Sequence, residues 1–172
     1  MNRFALPIAG LAVLLGAGLG DAQAVTVERD YLLQPAANCQ GALPNYETGL
    51  RKTPLAVKNI GTTPLYVTCG FTDISNPTAY GHVYVMASFV NNGSVEQTVN
   101  CTLVNGIINA DYFPVTYIPK SVVVPPGEIN VIEWDATADN GGEFMLPSLS
   151  CAVPGGVEVN FLEQTYTEDV GA

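Results

Sequence analysis

The sequence predicts an all-β fold, an antiparallel two-sheet β-sandwich of the jelly-roll or Ig-like kind, stapled by two disulfide bonds. Three observations predict it: short runs of alternating apolar and polar residues, turn-forming Pro, Gly and Asn residues between those runs, and four cysteines. With 172 residues, 48% of them apolar and 13% charged, the chain is long enough for one domain and too apolar for intrinsic disorder.

The N-terminal segment has the three regions of a secretory signal peptide. Arg3 supplies the positive charge, an uncharged apolar run follows, and Ala22-Gln23-Ala24 matches a cleavage site. A retained membrane anchor is the rival interpretation, but the apolar run is short for a span and contains Pro7. We therefore expect a signal peptide over residues 1–24 and a single β-sandwich domain over residues 25–172. The mature protein is expected to be secreted, in the periplasm or outside the cell, without a membrane span.

The strands are predicted from period-2 alternation, in which one side of each strand is apolar. A strand with one buried face needs a second sheet to cover that face, which predicts a sandwich. The link Asn91-Asn92-Gly93-Ser94 is typical of a tight turn and predicts a hairpin between the strands on either side of it. The predicted strands cover residues 25–33, 55–60, 65–71, 82–90, 95–104, 113–118, 121–124, 128–134, 148–153 and 157–162.

All four cysteines follow the predicted cleavage site, at Cys39, Cys69, Cys101 and Cys151. An even number of cysteines in an exported chain predicts two disulfides. Three connectivities are open. We favour Cys39 with Cys69 and Cys101 with Cys151, because both pairs are sequential and three of the four cysteines lie in strand-like runs. A four-cysteine metal site is disfavoured because the chain has no C-x-x-C spacing.

The charge balance limits the classes of partner. Asp and Glu outnumber Lys and Arg by 16 to 6, which gives a formal net charge of −10. Because nucleic-acid binding depends on phosphate neutralisation by clustered basic residues, we expect no nucleic-acid partner. An acidic surface is compatible with cationic partners and is also typical of ordinary solvated surfaces.

Few residues suit catalysis. The only histidine, His82, is interpreted as a surface residue, and the nucleophile, phosphate-binding and zinc-protease motifs are missing from the sequence. A glycosidase needs only two carboxylates, and four candidates gather near Trp134: Glu133, Asp135, Asp139 and Glu143. Acidic residues are frequent throughout this chain, however, so such a cluster carries little weight. We predict a protein that is not an enzyme.

Metal binding has one weak candidate. Asp135, Asp139 and Glu143 lie on a glycine-containing stretch and offer the hard oxygen ligands that Ca²⁺ prefers. Their spacing does not match an EF-hand loop. Calcium is the one cofactor considered, and otherwise we expect none.

Aromatic residues are the candidates for ligand contact. Exposed tyrosines combine apolar area with a polar tip and are common at recognition surfaces. We select Tyr84, Tyr112 and Tyr117, together with Trp134, although a lone Trp in a small sandwich is more often a core residue.

Several short motifs resemble those of a broad group of uncharacterised small secreted bacterial proteins. They are the signal peptide, Cys39, a V-x-C at Cys69, a V-x-C-x-L strand around Cys101, Trp134, and Cys151 shortly before Pro154-Gly155. Glu163 follows near the end of this region. The chain differs from the group in having Gly70 after the second cysteine and Val153-Pro154-Gly155-Gly156 at the late turn. The resemblance implies a two-disulfide β-sandwich and no particular activity.

These observations favour a secreted, non-enzymatic binding module that recognises a glycan or an envelope protein. The first alternative is a structural subunit of an envelope or filament. Such a subunit would self-associate through an unpaired edge strand, for which the run over residues 25–33 is the candidate. The second alternative is a small carbohydrate-active enzyme.

Overall fold

The computed structural model describes residues 25–71, 79–108 and 114–170. In this part of the chain two antiparallel sheets pack face to face around one apolar core, so the predicted β-sandwich is confirmed. None of the helices within these ranges is long and apolar enough to cross a membrane. The predicted signal peptide and Tyr112 lie outside the described residues.

The elements are mostly strands, with two short helical turns near the start and a π-helical turn after the ninth strand. In chain order they are β1 (Thr26–Leu33), α1 (Pro35–Asn38), β2 (Cys39–Gly41), α2 (Pro44–Glu47), β3 (Leu50–Lys52), β4 (Val57–Asn59), β5 (Leu65–Gly70), β6 (Ala79–Asn91), β7 (Gln97–Asn105), β8 (Thr116–Val124), β9 (Ile129–Asp135), the π-helical turn (Ala136–Asn140), β10 (Ser148–Val153) and β11 (Val157–Asp169).

The strand order is that of a jelly roll. One sheet has the order β3-β4-β11-β6-β9, and β1 is its sixth strand, paired with β11. The other sheet has five strands in the order β2-β5-β10-β7-β8. The eight strands from β4 to β11 form the jelly roll, four of them in each sheet. Along these eight strands the chain changes sheet at every step except between β7 and β8. Of the two predicted kinds of sandwich, the jelly roll is confirmed.

The core forms from the inward-facing residues of both layers. Its largest fully buried side chains are Trp134, Phe89 and Phe144. Trp134 donates a hydrogen bond from its indole Nε1 to the carbonyl oxygen of Ile118, at 2.9 Å, so its one polar atom is satisfied in the core.

Both disulfides lie in the five-stranded sheet. Cys39–Cys69 joins β2 to β5, and Cys101–Cys151 joins β7 to β10. In each pair the two cysteines stand directly opposite each other in the strand register. The favoured pairing is therefore confirmed. Since these bonds use all four cysteines of the chain, the six-stranded sheet has no disulfide.

The predicted hairpin around Asn91-Asn92-Gly93-Ser94 is wrong, because β6 and β7 belong to different sheets. The fully buried Asn91 explains the difference. Its amide Nδ2 donates to the carbonyl oxygens of Val95, at 2.8 Å, and of Val124, at 2.9 Å, and its Oδ1 accepts from the backbone N–H of Gly93. These bonds tie the turn to another loop, so the Asn-Gly signal marks a corner between the sheets.

A second corner repeats this arrangement. Asn59 is also fully buried, and its Nδ2 donates to the carbonyl oxygens of Thr63 and Val153, both at 2.8 Å. Its Oδ1 accepts from the backbone N–H of Gly61. In both corners the more distant acceptor is a valine that precedes a proline at the end of a strand. The sequence analysis did not recognise this repeat.

Three further predictions need correction. β11 continues to Asp169, seven residues beyond the predicted end at residue 162. The two runs around Pro119 form the single strand β8, which tolerates proline because it lies at a sheet edge. His82 is buried, with only 3% of its surface exposed, because its backbone pairs with Phe144 next to the core.

Candidate functional site

The outer face of the five-stranded sheet carries no charged side chain at its described outward positions. Because inward residues alternate with outward ones and the strands pair in register, these positions form a regular grid. We call this grid the neutral face. Its members are Tyr66, Thr68 and Gly70 on β5, Ser148, Ser150 and Ala152 on β10, Asn100, Thr102 and Val104 on β7, and Tyr117, Pro119 and Ser121 on β8.

Two exposed tyrosines stand at opposite corners of the neutral face. Tyr66 is 50% exposed and Tyr117 is 68% exposed. They lie three strands apart across the sheet, which corresponds to roughly 14 Å, and four residues apart along it, or roughly 13 Å. The ring of Tyr46, from α2, lies 6.2 Å from that of Tyr66 and supports it.

An open groove of about 820 Å³ runs between the two tyrosines. Lys120 belongs to its lining, with its ammonium group paired to Asp139. Polar side chains from three strands also line it, among them Asn100, Thr102, Ser121 and Ser150. Within the described part of the chain none of these four side chains makes a hydrogen bond. Their hydroxyl and amide groups are therefore available to a ligand, which could use each of them as donor or acceptor.

Of the tyrosines selected from the sequence, Tyr117 lies on the neutral face and Tyr84 lies on the opposite side of the molecule. Tyr84 faces outward from β6, where its hydroxyl is hydrogen-bonded to the carboxylate of Glu133. Partial burial, this hydrogen bond and the negative charges of Glu133 and Glu163 raise the pKa of the Tyr84 phenol. Its polar tip already has a partner in the protein.

Trp134 was selected as a candidate ligand contact, and the structure corrects this. The side chain is fully buried between the sheets and presents neither ring face to solvent. An alternating strand pattern places Trp134 on the same side as Ile132, which is a core position.

Two of the carboxylates considered for catalysis lie on the outer face of the six-stranded sheet. Register pairing places Glu133 and Asp135 opposite Met86 and Tyr84, on the side away from the groove. Asp30 from β1 and Glu163 from β11 belong to the same surface, which we call the acidic face. Partial burial raises the pKa of Glu163, and the charges of Asp30 and Glu133 raise it further.

Each of the three candidate calcium ligands already accepts a hydrogen bond from another group of the protein. Asp139 accepts a hydrogen bond from the ammonium group of Lys120 at 2.6 Å. Partial burial acts to raise the pKa of Asp139, but the contact with Lys120 helps to hold it below its usual value. Asp135 caps the π-helical turn by accepting from the N–H of Ala138, and Glu143 accepts from the N–H of Gly81. Over the described residues no group of three or more His, Cys, Asp or Glu side chains is arranged to hold a metal ion.

The sequence analysis missed Tyr66. The signal was present in the run from Leu65 to Cys69, where alternation places Tyr66 and Thr68 together on the polar side of a strand. A bulky aromatic residue on the polar side of a strand is a better indicator of a binding face than the number of tyrosines in the chain.

No protein-family model and no curated protein matches the chain. Among solved structures, it is similar to the C-terminal family 6 carbohydrate-binding module of a laminarinase from Zobellia galactanivorans, with 10% identity, a TM-score of 0.46, and 80% of this chain and 99% of that chain covered. A family 11 carbohydrate-binding module from Clostridium thermocellum, solved with a β-1,3-1,4-mixed-linked tetrasaccharide, has 11% identity, a TM-score of 0.37 and coverages of 89% and 91%. A Bacillus endospore appendage from a family of disulfide-linked pili has 10% identity, a TM-score of 0.38 and coverages of 86% and 90%. The function of this chain is inferred from its own residues.

Proposed function

We propose that this protein is a secreted, non-catalytic module that binds an uncharged glycan chain along the neutral face. The observation that carries the proposal is the combination of two exposed tyrosines with unengaged hydroxyl and amide groups on a sheet face whose outward strand positions carry no charged side chain. Tyr66 and Tyr117 are the two anchors, and the polar side chains between them are the hydrogen-bonding partners.

The chemistry of this surface matches that of a neutral sugar chain. A sugar ring has an apolar face of C–H groups, which can stack on a tyrosine ring, and a rim of hydroxyls, which needs donors and acceptors. Binding a neutral ligand does not require burial of an unpaired charge. The basic residue in the groove lining, Lys120, is already paired with Asp139, and an anionic polymer would be repelled by a net charge of −10.

The position of the carboxylates supports recognition rather than glycoside hydrolysis. Hydrolysis needs two carboxylates on either side of the sugar bond that is cleaved. The candidate pair, Glu133 and Asp135, faces outward from the other sheet, and the full thickness of the sandwich separates it from the groove.

The proposed secretion rests on two features of the chain. The first 24 residues have the composition of a signal peptide, and the four cysteines all form disulfides, which persist in oxidising compartments. The cellular test is to express the full-length chain in a bacterium that exports proteins and to sequence the N-terminus of the recovered protein. We expect the mature chain to begin at Val25.

The binding test is a glycan array probed with the oxidised mature protein, including both neutral and anionic sugar chains. We expect a narrow set of neutral oligosaccharides to bind, with affinity that rises with chain length until the chain reaches both Tyr66 and Tyr117. Binding confined to anionic glycans, or an array without binding, would contradict the proposal.

A further inference from the structure

The first strand of the six-stranded sheet packs few of its side chains against the core. In the described part of the chain β1 pairs with β11 alone, through eight consecutive residue pairs from Thr26 with Asp169 to Leu33 with Leu162. The pairing has no register shift. Of the strand's residues only Leu33 is buried, and Tyr31 and Leu32 are exposed by 47% and 67%.

Backbone hydrogen bonds, rather than side-chain packing, hold β1 in place. Two side-chain links accompany them: Arg29 contacts Glu168 at 3.0 Å on the surface, and the Thr165 hydroxyl donates to Asp30 at 2.8 Å. Exposed ion pairs contribute little to stability. Ladder hydrogen bonds have the same geometry whether the two strands belong to one chain or to two.

The strand that receives β1 has a long stretch with no other partner on that side. β4 pairs with β11 only at Val159 and Glu158, so residues 162–169 of β11 have their hydrogen-bonding groups on this edge satisfied by β1. If β1 left, this edge would expose eight residues of unpaired backbone. Such an edge attracts another strand.

A short connection joins β1 to the disulfide-bonded part of the fold. After β1 the chain passes through Gln34 and the short turn α1 to Cys39, which the disulfide to Cys69 fixes to β5. The turn is itself stabilised by the Asn38 side chain, which donates to the carbonyl oxygen of Gln34 at 2.8 Å. A change in the backbone near Gln34 would therefore release β1 without disturbing the disulfide-anchored sheet.

The opposite edge of the sandwich is protected from such exchange. There, side chains bridge the edge strands β8 and β9 by donating to backbone carbonyl groups: Lys120 to Glu133 at 2.8 Å and Asn130 to Val123 at 2.6 Å. Pro119 also removes a donor from the middle of β8. β1 has no proline and carries two exposed apolar residues.

We propose that β1 exchanges between copies of this protein, so that the β1 strand of one copy pairs with residues 162–169 of β11 in a second copy. The occupant of this edge is a second copy of the chain because the strand that fits it is the chain's own β1, in the register from Thr26 with Asp169 to Leu33 with Leu162. Exchange recreates every contact of β1 and alters only the connection around Gln34, which makes it a low-cost route to association.

Engineered cysteines at paired positions test the exchange in the mature protein. One variant carries Asp30→Cys and the other Thr165→Cys, positions that stand opposite each other in the register. The two variants are incubated together at high concentration and then oxidised. Exchange predicts a heterodimer linked between residues 30 and 165, which peptide mass spectrometry identifies. In the matched control, Ser121→Cys, an exposed position on the neutral face, replaces Thr165→Cys. We expect the yield of the paired mixture to be about tenfold above that of the control.

A single chain that carries both Asp30→Cys and Thr165→Cys provides the second measurement. After oxidation as a monomer, its β1 is locked to its own β11. We expect the wild-type protein to form dimers or longer assemblies by light scattering as its concentration rises, and the locked chain to remain monomeric. Equal yields from the paired and control mixtures, or identical association of the wild-type and locked chains, would overturn the proposal. Circular dichroism of each variant confirms that it is folded before the comparison is made.

Discussion

The two sheets of the sandwich differ in their disulfide cross-links, in charge and in the surroundings of their tyrosines. The five-stranded sheet contains both disulfides, and the outward positions of its strands carry hydroxyls, amides and two exposed tyrosines but no charged side chain in the described residues. The six-stranded sheet has no disulfide, its outer face is acidic, and it includes strand β1, which pairs with β11 and buries only Leu33. On the five-stranded sheet the Tyr117 side chain is exposed, whereas on the six-stranded sheet the Tyr84 hydroxyl is hydrogen-bonded to Glu133.

In the two proposals the sheets have different roles, because the five-stranded sheet binds the ligand and the six-stranded sheet exchanges a strand. A surface that binds a ligand gains affinity when its groups are already fixed in place, and the Cys101–Cys151 bond lies directly beneath Thr102 and Ser150 of the neutral face. An edge that exchanges a strand needs the opposite property, because the strand has to leave. Like charges on the acidic face disfavour stacking between the acidic faces of two copies.

The largest expected effect is the loss of stability when a disulfide is removed from the five-stranded sheet. Replacing Cys101 and Cys151 by alanine opens a loop of 50 residues, and in the chain-entropy model this lowers the free energy of unfolding by about 4 kcal/mol. The measurement is urea-induced unfolding followed by the fluorescence of Trp134. Glycan affinity should fall as well, because the central strands of the neutral face lose their covalent link. A free energy of unfolding equal to that of the wild type would show that the disulfide does not make this sheet the more rigid one.

A charge placed on the neutral face tests whether neutrality matters for binding. Ser150→Asp puts a carboxylate in the groove, which a neutral sugar would have to desolvate, so we expect glycan affinity to fall by about tenfold, or about 1.4 kcal/mol. The matched control is Val131→Asp, at an exposed position on the other sheet. Titration calorimetry should detect the loss only in the first variant. Equal losses in both would argue that overall charge, and not the face, determines affinity.

The acidic face should influence stability without influencing binding. Burial and the neighbouring Asp30 and Glu133 raise the pKa of Glu163 in the folded state above its value in the unfolded chain. The folded protein therefore binds this proton more tightly, and the free energy of unfolding decreases as the pH rises through the interval between the two values. Glu163→Gln should remove this decrease and stabilise the protein at pH 7 by less than about 1 kcal/mol. Thermal unfolding at pH 4 and pH 7 checks the sign, and a variant less stable than the wild type at pH 7 would contradict it.

Chelation should have the smallest effect. Asp135, Asp139 and Glu143 each accept a hydrogen bond from a different group of the protein, and Asp139 is paired with Lys120. We therefore expect the unfolding midpoint and the glycan affinity to be the same with calcium and with a chelator. A lower midpoint in the chelator would restore the calcium hypothesis for these three residues.

Alternation along the chain was sufficient to predict the sandwich and most of the strands, and the order of the cysteines along the chain favoured the correct disulfide pairs. These properties depend on which residues are apolar and on their spacing, both of which a sequence contains. The path between the sheets was not predictable in the same way. Asn91-Asn92-Gly93 fits a hairpin and a corner equally well, and the choice depends on whether the Asn91 side chain finds distant carbonyl groups such as that of Val124.

The candidate site was predicted only in part, since the sequence does not tell which outward positions of separate strands meet. Tyr117 was identified, but Tyr66 became relevant only when the strand order placed β5 and β8 on one face. Trp134 was predicted ambiguously because its neighbours are acidic, although the alternation with Ile132 indicates a core position. The burial of His82 depends on the approach of Phe144 from a distant part of the chain, which no local pattern encodes.

The most direct test of the central claim is calorimetric titration of an array-selected neutral oligosaccharide into the wild-type protein and three tyrosine variants. Loss of one stacking ring should weaken binding by about tenfold in Tyr66→Ala and in Tyr117→Ala. Tyr31→Ala is the control, since Tyr31 is 47% exposed but belongs to β1 of the other sheet. We expect an unchanged affinity for the control and large losses for the other two variants. Unchanged affinity in both Tyr66→Ala and Tyr117→Ala, or a loss in Tyr31→Ala as large as theirs, would contradict it.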